Sequence, residues 1–328
     1  MDHFRTEVSI EQAEHRIKYD SNLLFMGSCF ATNLGHYFSE TCYNSRVNPF
    51  GVLYNPLSIA NSLNRLITEH GFGEDDVQYH NGSYHSFYHH SVFNKADKKA
   101  FLLHANQAFE DGVSFLKSAN FLFITFGTAW VYQHKESQEV VSNCHKYPAS
   151  TFNRSMLSTA EIVECYTQLI QSLKETNPDL KIIFTVSPVR HWKDGAHGNQ
   201  ISKATLLLAI EQINNLFSHT SYFPAYEVLL DDLRDYRFYK DDMLHPSDLA
   251  ITYIRKKFTD AYFDEQAHTF SKTVEALKKA SNHRPFSISS DAHQTFINKH
   301  INKVNNCQKQ YPKVDLLPLR RRFENQQV

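Results

Sequence analysis

Residues Asn22-Leu-Leu-Phe-Met-Gly-Ser-Cys-Phe-Ala31 decide how this chain is read. A short apolar run, Leu23–Met26, stops at Gly27, a hydroxyl follows at Ser28, and Phe30–Ser39 has a helical pattern. A buried strand that turns sharply into a helix exposes the residue at the turn. N–H groups at the helix start then face any anion that forms there. Ser28 is therefore a candidate nucleophile. Gly-Ser at a strand end is also an ordinary turn, so the reading depends on whether the chain supplies a base, an acid to orient it and further oxyanion donors.

Two other runs match the first: Phe121–Phe126, ending at Gly127, and Lys181–Val186, ending at Ser187-Pro188. All three are nearly continuous in apolar residues rather than alternating, as parallel strands covered on both faces are. Ser45–Val47 and Tyr222–Leu229 are weaker strand candidates. Helical patterns fall between them at Pro56–Glu69, Lys98–Ser118, Thr159–Thr176 and Ser202–Ser218. Ser158-Thr-Ala-Glu161 caps the third of these and Asn177-Pro178 stops it. Strand–helix alternation on this scale predicts an α/β fold with a doubly wound parallel sheet and a site at the carboxyl ends of its strands. Asp75–Asn94, rich in His and Tyr, reads as an insertion, and Lys193–Gln200, with two glycines, as a mobile rim. Beyond Phe263 the chain becomes Lys-rich, so residues 1–263 read as the main domain and 264–328 as a partly helical extension with a flexible end.

Composition narrows the function. The chain has 328 residues, with 34 Lys and Arg against 35 Asp and Glu, so no global field favours nucleic acid or a membrane surface as partner. Its 25 Phe and 17 Tyr suit a well-filled core rather than a base-stacking platform. The five Cys are scattered without metal-ligand or disulfide spacing, and no cofactor is called for. The start, Met1–Val8, lacks an apolar core, and no apolar run reaches the length of a membrane span; a cytoplasmic, reducing setting is the expectation.

A base and its orienter come from Tyr239-Lys-Asp-Asp-Met-Leu-His-Pro-Ser-Asp248, just ahead of an amphipathic helix running to about Tyr262. Pro246 suits the first helical turn and Asp248 the positive helix start. Asp242 lies three residues before His245, close enough to hold one ring nitrogen so that the other acts as base. Taken alone, Asp-x-x-His-Pro is as well a helix cap with a surface His. The order Ser, Asp, His, with acid and base on one short segment and Phe30 in place of a second Gly, departs from the usual Gly-x-Ser-x-Gly hydrolases.

With those residues in hand, Gly27-Ser-Cys-Phe-Ala31 resembles the signature of the GSCFA family, part of the SGNH (GDSL-like) hydrolase superfamily. So do Asn48-Pro-Phe-Gly51, Phe126-Gly-Thr-Ala-Trp-Val-Tyr132, Asn143-Cys-His-Lys146, Val186-Ser-Pro-Val-Arg-His191 and Asp242-Met-Leu-His-Pro246. The resemblance implies a three-layer α/β/α, flavodoxin-like fold with Ser28 as nucleophile, His245 as base and Asp242 as its orienter. It implies an oxyanion held by the N–H groups of Ser28 and Gly51 and by an Asn after the third strand. That Asn is missing from Gly127-Thr-Ala-Trp130, which leaves Thr128 or Asn143 as the replacement donor. The function implied is hydrolysis or transfer of a short acyl group, with an ester of a small molecule or carbohydrate as substrate.

Other residues carry further expectations. Arg190 and His191, at a strand's carboxyl edge, are candidates for substrate binding, Arg190 through a carboxylate or phosphate. His145 is a pocket candidate or a structural hydrogen-bond partner. Cys29, one helical position past Ser28, points roughly 100° away and is expected to pack inward. His80, His85, His89 and His90 raise a metal-dependent alternative, with His85 and His89 on one face if that stretch is helical. The interleaved Tyr79, Tyr84, Phe87 and Tyr88 favour an aromatic loop near the pocket mouth instead. A binding module that keeps the fold without turnover is the other alternative.

Overall fold

Leu23–Gly27 (β1) is buried along its whole length and lies within a sheet of five strands. The others are Ser45–Val47 (β2), Phe121–Phe126 (β3), Lys181–Val186 (β4) and Thr220–Phe223 (β5). The computed structural model describes residues 6–327; residues 1–5, part of the run read above for a leader, and residue 328 lie outside them. The order is β5-β4-β3-β1-β2 and all pairings are parallel. This flavodoxin-like order has its switch point between β1 and β3, where chains of this topology open a crevice for ligands.

The strands are apolar throughout because both faces are covered. Leu24 and Met26 enter one core with the apolar faces of Pro56–Ile67 (α2), Lys98–Ser118 (α3), Thr159–Thr176 (α4) and Gly195–Leu216 (α5). Leu23 and Phe25 point the other way, into a core with Cys29–Glu40 (α1) and Asp248–Tyr262 (α6). Phe25 stacks on Phe123 of the neighbouring strand, ring centroids 4.4 Å apart. Three more helices, Glu265–Ser281 (α7), Asp291–Gln310 (α8) and Leu317–Glu324 (α9), join that second core through Phe270, Ile297, Val304 and Phe323. The segment expected to end flexibly is thus helical to Glu324, and its apolar residues are part of the α1-side core.

Two segments differ from their sequence reading. Strand β5 stops at Phe223 because Pro224 follows, and Ala225–Glu227 begins a helical turn where a strand to Leu229 was expected. Lys193–Gln200 is not an irregular loop: Lys193 and Asp194 end a 3-10 turn, Trp192–Asp194, and Gly195 starts α5. Its two glycines lower helix propensity, but the Asp194 carboxylate just ahead is gripped by Arg154 and holds the entry in place.

Two small antiparallel units flank the carboxyl edge. Gln78–His80 pairs with Ser83–His85 inside the His-rich insertion. Trp130–His134 pairs with Val140–Val141 and with Phe152–Met156. This second unit, absent from the sequence reading, forms a side wall of the cavity described next. Among the described residues no helix is long and apolar enough to cross a membrane.

Candidate active site

The turn from β1 to α1 is built by close backbone approach. Gly27 has φ +127°, and a Cβ there would lie 2.2 Å from the Thr125 carbonyl oxygen of β3, so no side chain fits. Asn48 clamps the turn: its Oδ1 accepts from Gly27 N–H at 2.8 Å and its Nδ2 donates to Thr32 Oγ1 at 2.9 Å. Ser28 is the N-cap of α1, and its Oγ accepts from Phe30 N–H at 3.3 Å. The N–H of Cys29, at the first helical position, has no acceptor within the helix, as at any helix start.

Ser28 opens into a cavity of about 450 Å³ bounded by the ends of β1, β3 and β4, the small antiparallel sheet and the His245 loop. Cys29, Thr128, Asn143, Arg190, His191 and His245 share its wall. Cys29 therefore does not pack inward as expected: its Sγ lies 3.9 Å from Tyr54 OH, inside the cavity. The reason is that Cys29 is the first residue of α1, and the first turn of that helix borders the cavity.

The base and its orienter are tightly joined. Asp242 Oδ2 lies 2.6 Å from His245 Nδ1, while Oδ1 accepts from the N–H groups of Leu244 and His245, each at 2.9 Å. Met243, at φ +58°, makes the tight turn that allows this. The backbone N–H bonds, first that of His245 and then that of Leu244, with the imidazole after them, pull the Asp242 carboxyl down to about 2. With Nδ1 facing a carboxylate, Nε2 of the neutral ring is left as acceptor. Pro246 falls outside the first helical turn where it was expected: Ser247 is the N-cap and Asp248, at the positive helix start, is the first helical residue. Ser28 and His245 face the same cavity, and among the described residues no hydrogen bond joins them.

The expected oxyanion donors are differently placed. Gly51 has φ +78° and its N–H donates to the Asn48 carbonyl at 2.7 Å, so that donor is spent within its own loop. The Ser28 N–H likewise donates to Thr125 O at 3.1 Å. Thr128 Oγ1 lies on the wall but is shared between Ser202 Oγ at 3.1 Å and Trp130 N–H at 3.2 Å. Asn143 Oδ1 accepts from His145 N–H at 2.8 Å, which orients the amide so that its NH₂ is left as a donor on the cavity wall.

His145 does not line the cavity. It is buried, its Nε2 meets the Ser86 carbonyl at 3.1 Å, and its ring stacks on His85 with centroids 4.1 Å apart. Burial, with His85 beside it, pulls it down to about 4. His191 does line the cavity: its ring meets Tyr54 edge-on at 5.7 Å and its N–H donates to Asn199 Oδ1 at 3.0 Å. Burial first, then Lys203 and His245, pull His191 down to about 4, so it is neutral near pH 7. The His-rich insertion spends its rings on packing. His89 sits among Phe72, Phe93 and Phe50, centroids 4.5, 4.6 and 5.4 Å away, and burial pulls it down to about 3. Among the described residues no three His, Cys, Asp or Glu side chains gather as a metal ion requires.

Several site residues had no sequence signal. Lys203, on α5, is fully buried and its Nζ donates to the carbonyls of Gly127 at 2.8 Å and Ser187 at 2.7 Å, tying the ends of β3 and β4 together. Burial pulls it down to about 7. Arg154 lies in a short, polar strand and pairs with Asp194. Tyr54 and Trp130 complete the wall. Trp130 lies in the Phe126–Tyr132 motif, whereas Lys203 on a helix and Arg154 on a polar strand look in the sequence like solvent-facing charges.

The profile of the GSCFA family matches residues 22–258, and that of the C-terminal domain of GSCFA domain proteins matches residues 274–327. No curated protein matches the chain in sequence. Two solved structures are similar at low identity. One, from Streptococcus pneumonia, is described as a candidate platelet activating factor: 13% identity, TM-score 0.37, covering 74% of this chain and 83% of that one. The other is an acetyl xylan esterase of the rumen bacterium Butyrivibrio proteoclasticus: 11% identity, TM-score 0.38, covering 74% of this chain and 63% of that one.

Proposed function

Because the chain belongs to the GSCFA family, we propose that it is a serine-dependent acyl hydrolase or acyltransferase acting on an ester. One observation carries the reading: Ser28, at the switch point of the sheet, shares a cavity with a His245 whose Nδ1 is held 2.6 Å from Asp242. Ser28 Oγ attacks the ester carbonyl while His245 Nε2 takes its proton, and Asp242 stabilises the imidazolium that forms. His245 returns that proton to the departing alkoxide. Water or a second alcohol then gives its proton to His245 as it attacks the acyl-enzyme, and His245 passes that proton to Ser28 Oγ as the bond between the acyl group and Ser28 breaks. The oxyanion donors are the Cys29 N–H at the helix start and the Asn143 side-chain amide, in place of Gly51; Thr128 serves as wall. Short acyl esters, acetyl groups on carbohydrate first, are the substrates to try.

A serine-reactive fluorophosphonate tests this. Labelling is expected in the wild type and lost in both Ser28→Ala and His245→Gln, with acetate release from acetyl esters lost in parallel. Labelling that survives Ser28→Ala, or its absence from the wild type between pH 6 and 9, would favour a binding module on the same fold.

A further inference from the structure

The charge on the cavity wall is out of balance with the chain. Over the whole sequence 34 Lys and Arg meet 35 Asp and Glu, but Arg154, Arg190 and Lys193 line the cavity against the single carboxylate of Asp194. That carboxylate is already taken, since both its oxygens are held by Arg154, at 2.8 and 2.5 Å. The guanidinium carbon of Arg154 in turn sits over Trp130, 3.8 Å from the ring centroid. Lys193 Nζ donates to the Tyr132 hydroxyl at 2.5 Å rather than to a carboxylate. Among the described residues Arg190 has no carboxylate in ion-pair range, and its guanidinium carbon lies over the Tyr239 ring at 5.9 Å from the centroid. Its backbone N–H meets the Leu244 carbonyl at 3.4 Å, which fixes Arg190 next to His245. The buried side-chain atoms on this wall that lack a partner, Arg154 Nε, Arg190 Nε and Trp130 Nε1, are all donors.

A concave wall with unspent cations and surplus donors attracts and orients an anion, and a guanidinium matches a planar carboxylate or a phosphate with paired hydrogen bonds. We propose that the ester this cavity accepts carries an anionic group, a carboxylate or a phosphate, on its non-reacting part, held by Arg190 with Lys193 at the rim. This rests on the acyl-transfer reading of Ser28. The neutral His191 and the Trp130 and Tyr132 rings then line the path between that group and the reacting carbonyl.

The test compares three acetyl esters on the full chain: an acetylated methyl glucoside, an acetylated methyl glucuronoside and an acetylated glucose phosphate. At least one anionic ester is expected to exceed the neutral one by tenfold or more in kcat/KM, mainly through KM. The advantage should shrink as salt rises from 20 to 500 mM and fall below threefold in Arg190→Gln. Which ester leads separates carboxylate from phosphate recognition. Equal kcat/KM for all three would overturn the inference and leave Ser28 catalysis standing. If no ester is turned over, Ser28 catalysis fails instead, and ligand-observed NMR of methyl glucuronoside, glucose phosphate and methyl glucoside decides the inference. Tenfold tighter binding of either anion, lost in Arg190→Gln, supports it; equal binding of all three overturns it.

Discussion

Ser28 Oγ has a structural task as well as the proposed chemical one. It accepts from Phe30 N–H as the cap of α1, and losing an N-cap acceptor costs about 1 kcal/mol. Ser28→Ala is therefore expected to melt a few degrees lower by calorimetry while losing all fluorophosphonate labelling, two readouts with separate causes. Asp242 should behave differently. In Asp242→Asn the amide oxygen still accepts the two backbone N–H groups, but the NH₂ then faces His245 Nδ1 and favours the wrong tautomer, so kcat should fall about 10³- to 10⁴-fold with the fold intact. The sign of its pH dependence follows from the depressed carboxyl. The folded state favours the charged form, so that contribution is present at neutral pH and lost as pH falls through about 2. Carboxyl-carbon NMR should find the Asp242 midpoint near 2; a midpoint near 4 would contradict the paired geometry. Asn143→Ala should lower kcat by roughly 10²-fold with little change in KM if its amide holds the oxyanion. Thr128→Val should change turnover far less, since its hydroxyl is already shared with Ser202 and Trp130.

At the scale of elements, the site depends on how three strand ends are held. The Gly27 turn admits no side chain, because a Cβ would meet the Thr125 carbonyl at 2.2 Å. Gly27→Ala must push β1 and β3 apart, and circular dichroism melting should show it well below the wild type in stability. The ends of β3 and β4 rest on Lys203. Lys203→Met leaves two carbonyls without that donor, at about 1–3 kcal/mol for each one left unsatisfied. Burial lowers the folded-state Lys203 to about 7, so between that pH and the usual lysine range the unfolded chain binds more protons and stability rises with pH. Urea midpoints of wild type and Lys203→Met should therefore diverge in the wild type's favour from pH 7 to 9. These elements differ in how legible they were. Strands β1, β3 and β4 and helices α3 and α4 announce themselves by unbroken apolar runs or clean caps. The sheet carrying Trp130 and Arg154 does not, since Phe152–Met156 buries only Phe152 fully and looks polar. The start of α5 was hidden by glycines whose cost is met by the Arg154–Asp194 pair, a contact between residues 40 apart in the chain. Asp242 and His245 were legible as a pair because they lie three residues apart, and Ser28 because it ends an unbroken apolar run, whereas the spent Gly51 N–H is a matter of loop geometry.

For the whole molecule, the question is whether the C-terminal helices belong to the body that holds the site. Tyr43, at the end of α1, donates to or accepts from Ser271 Oγ at 2.9 Å and packs edge-on against Phe270, centroids 5.4 Å apart. Phe270, Val274, Ile297 and Phe323 are fully buried, and they share one core with Phe25 and Phe38. Each such side chain contributes roughly 1.5–3 kcal/mol on burial, so four of them together rival the whole stability of an ordinary domain, about 5–15 kcal/mol. The polar links across the same face are small by comparison. Lys278 with Glu40 and Lys313 with Asp20 lie at the surface, and exposed pairs of this kind are worth under about 1 kcal/mol. A chain ended after Asp264 should therefore expose the α1 face, bind a hydrophobic dye and aggregate, and Ser28 should lose its labelling with the collapse of α1. Lys278→Ala, in contrast, should melt within about 2 °C of the wild type. A truncated chain that stayed monomeric and melted cooperatively near the wild-type temperature would instead make residues 265–327 a separate domain resting on a self-sufficient one.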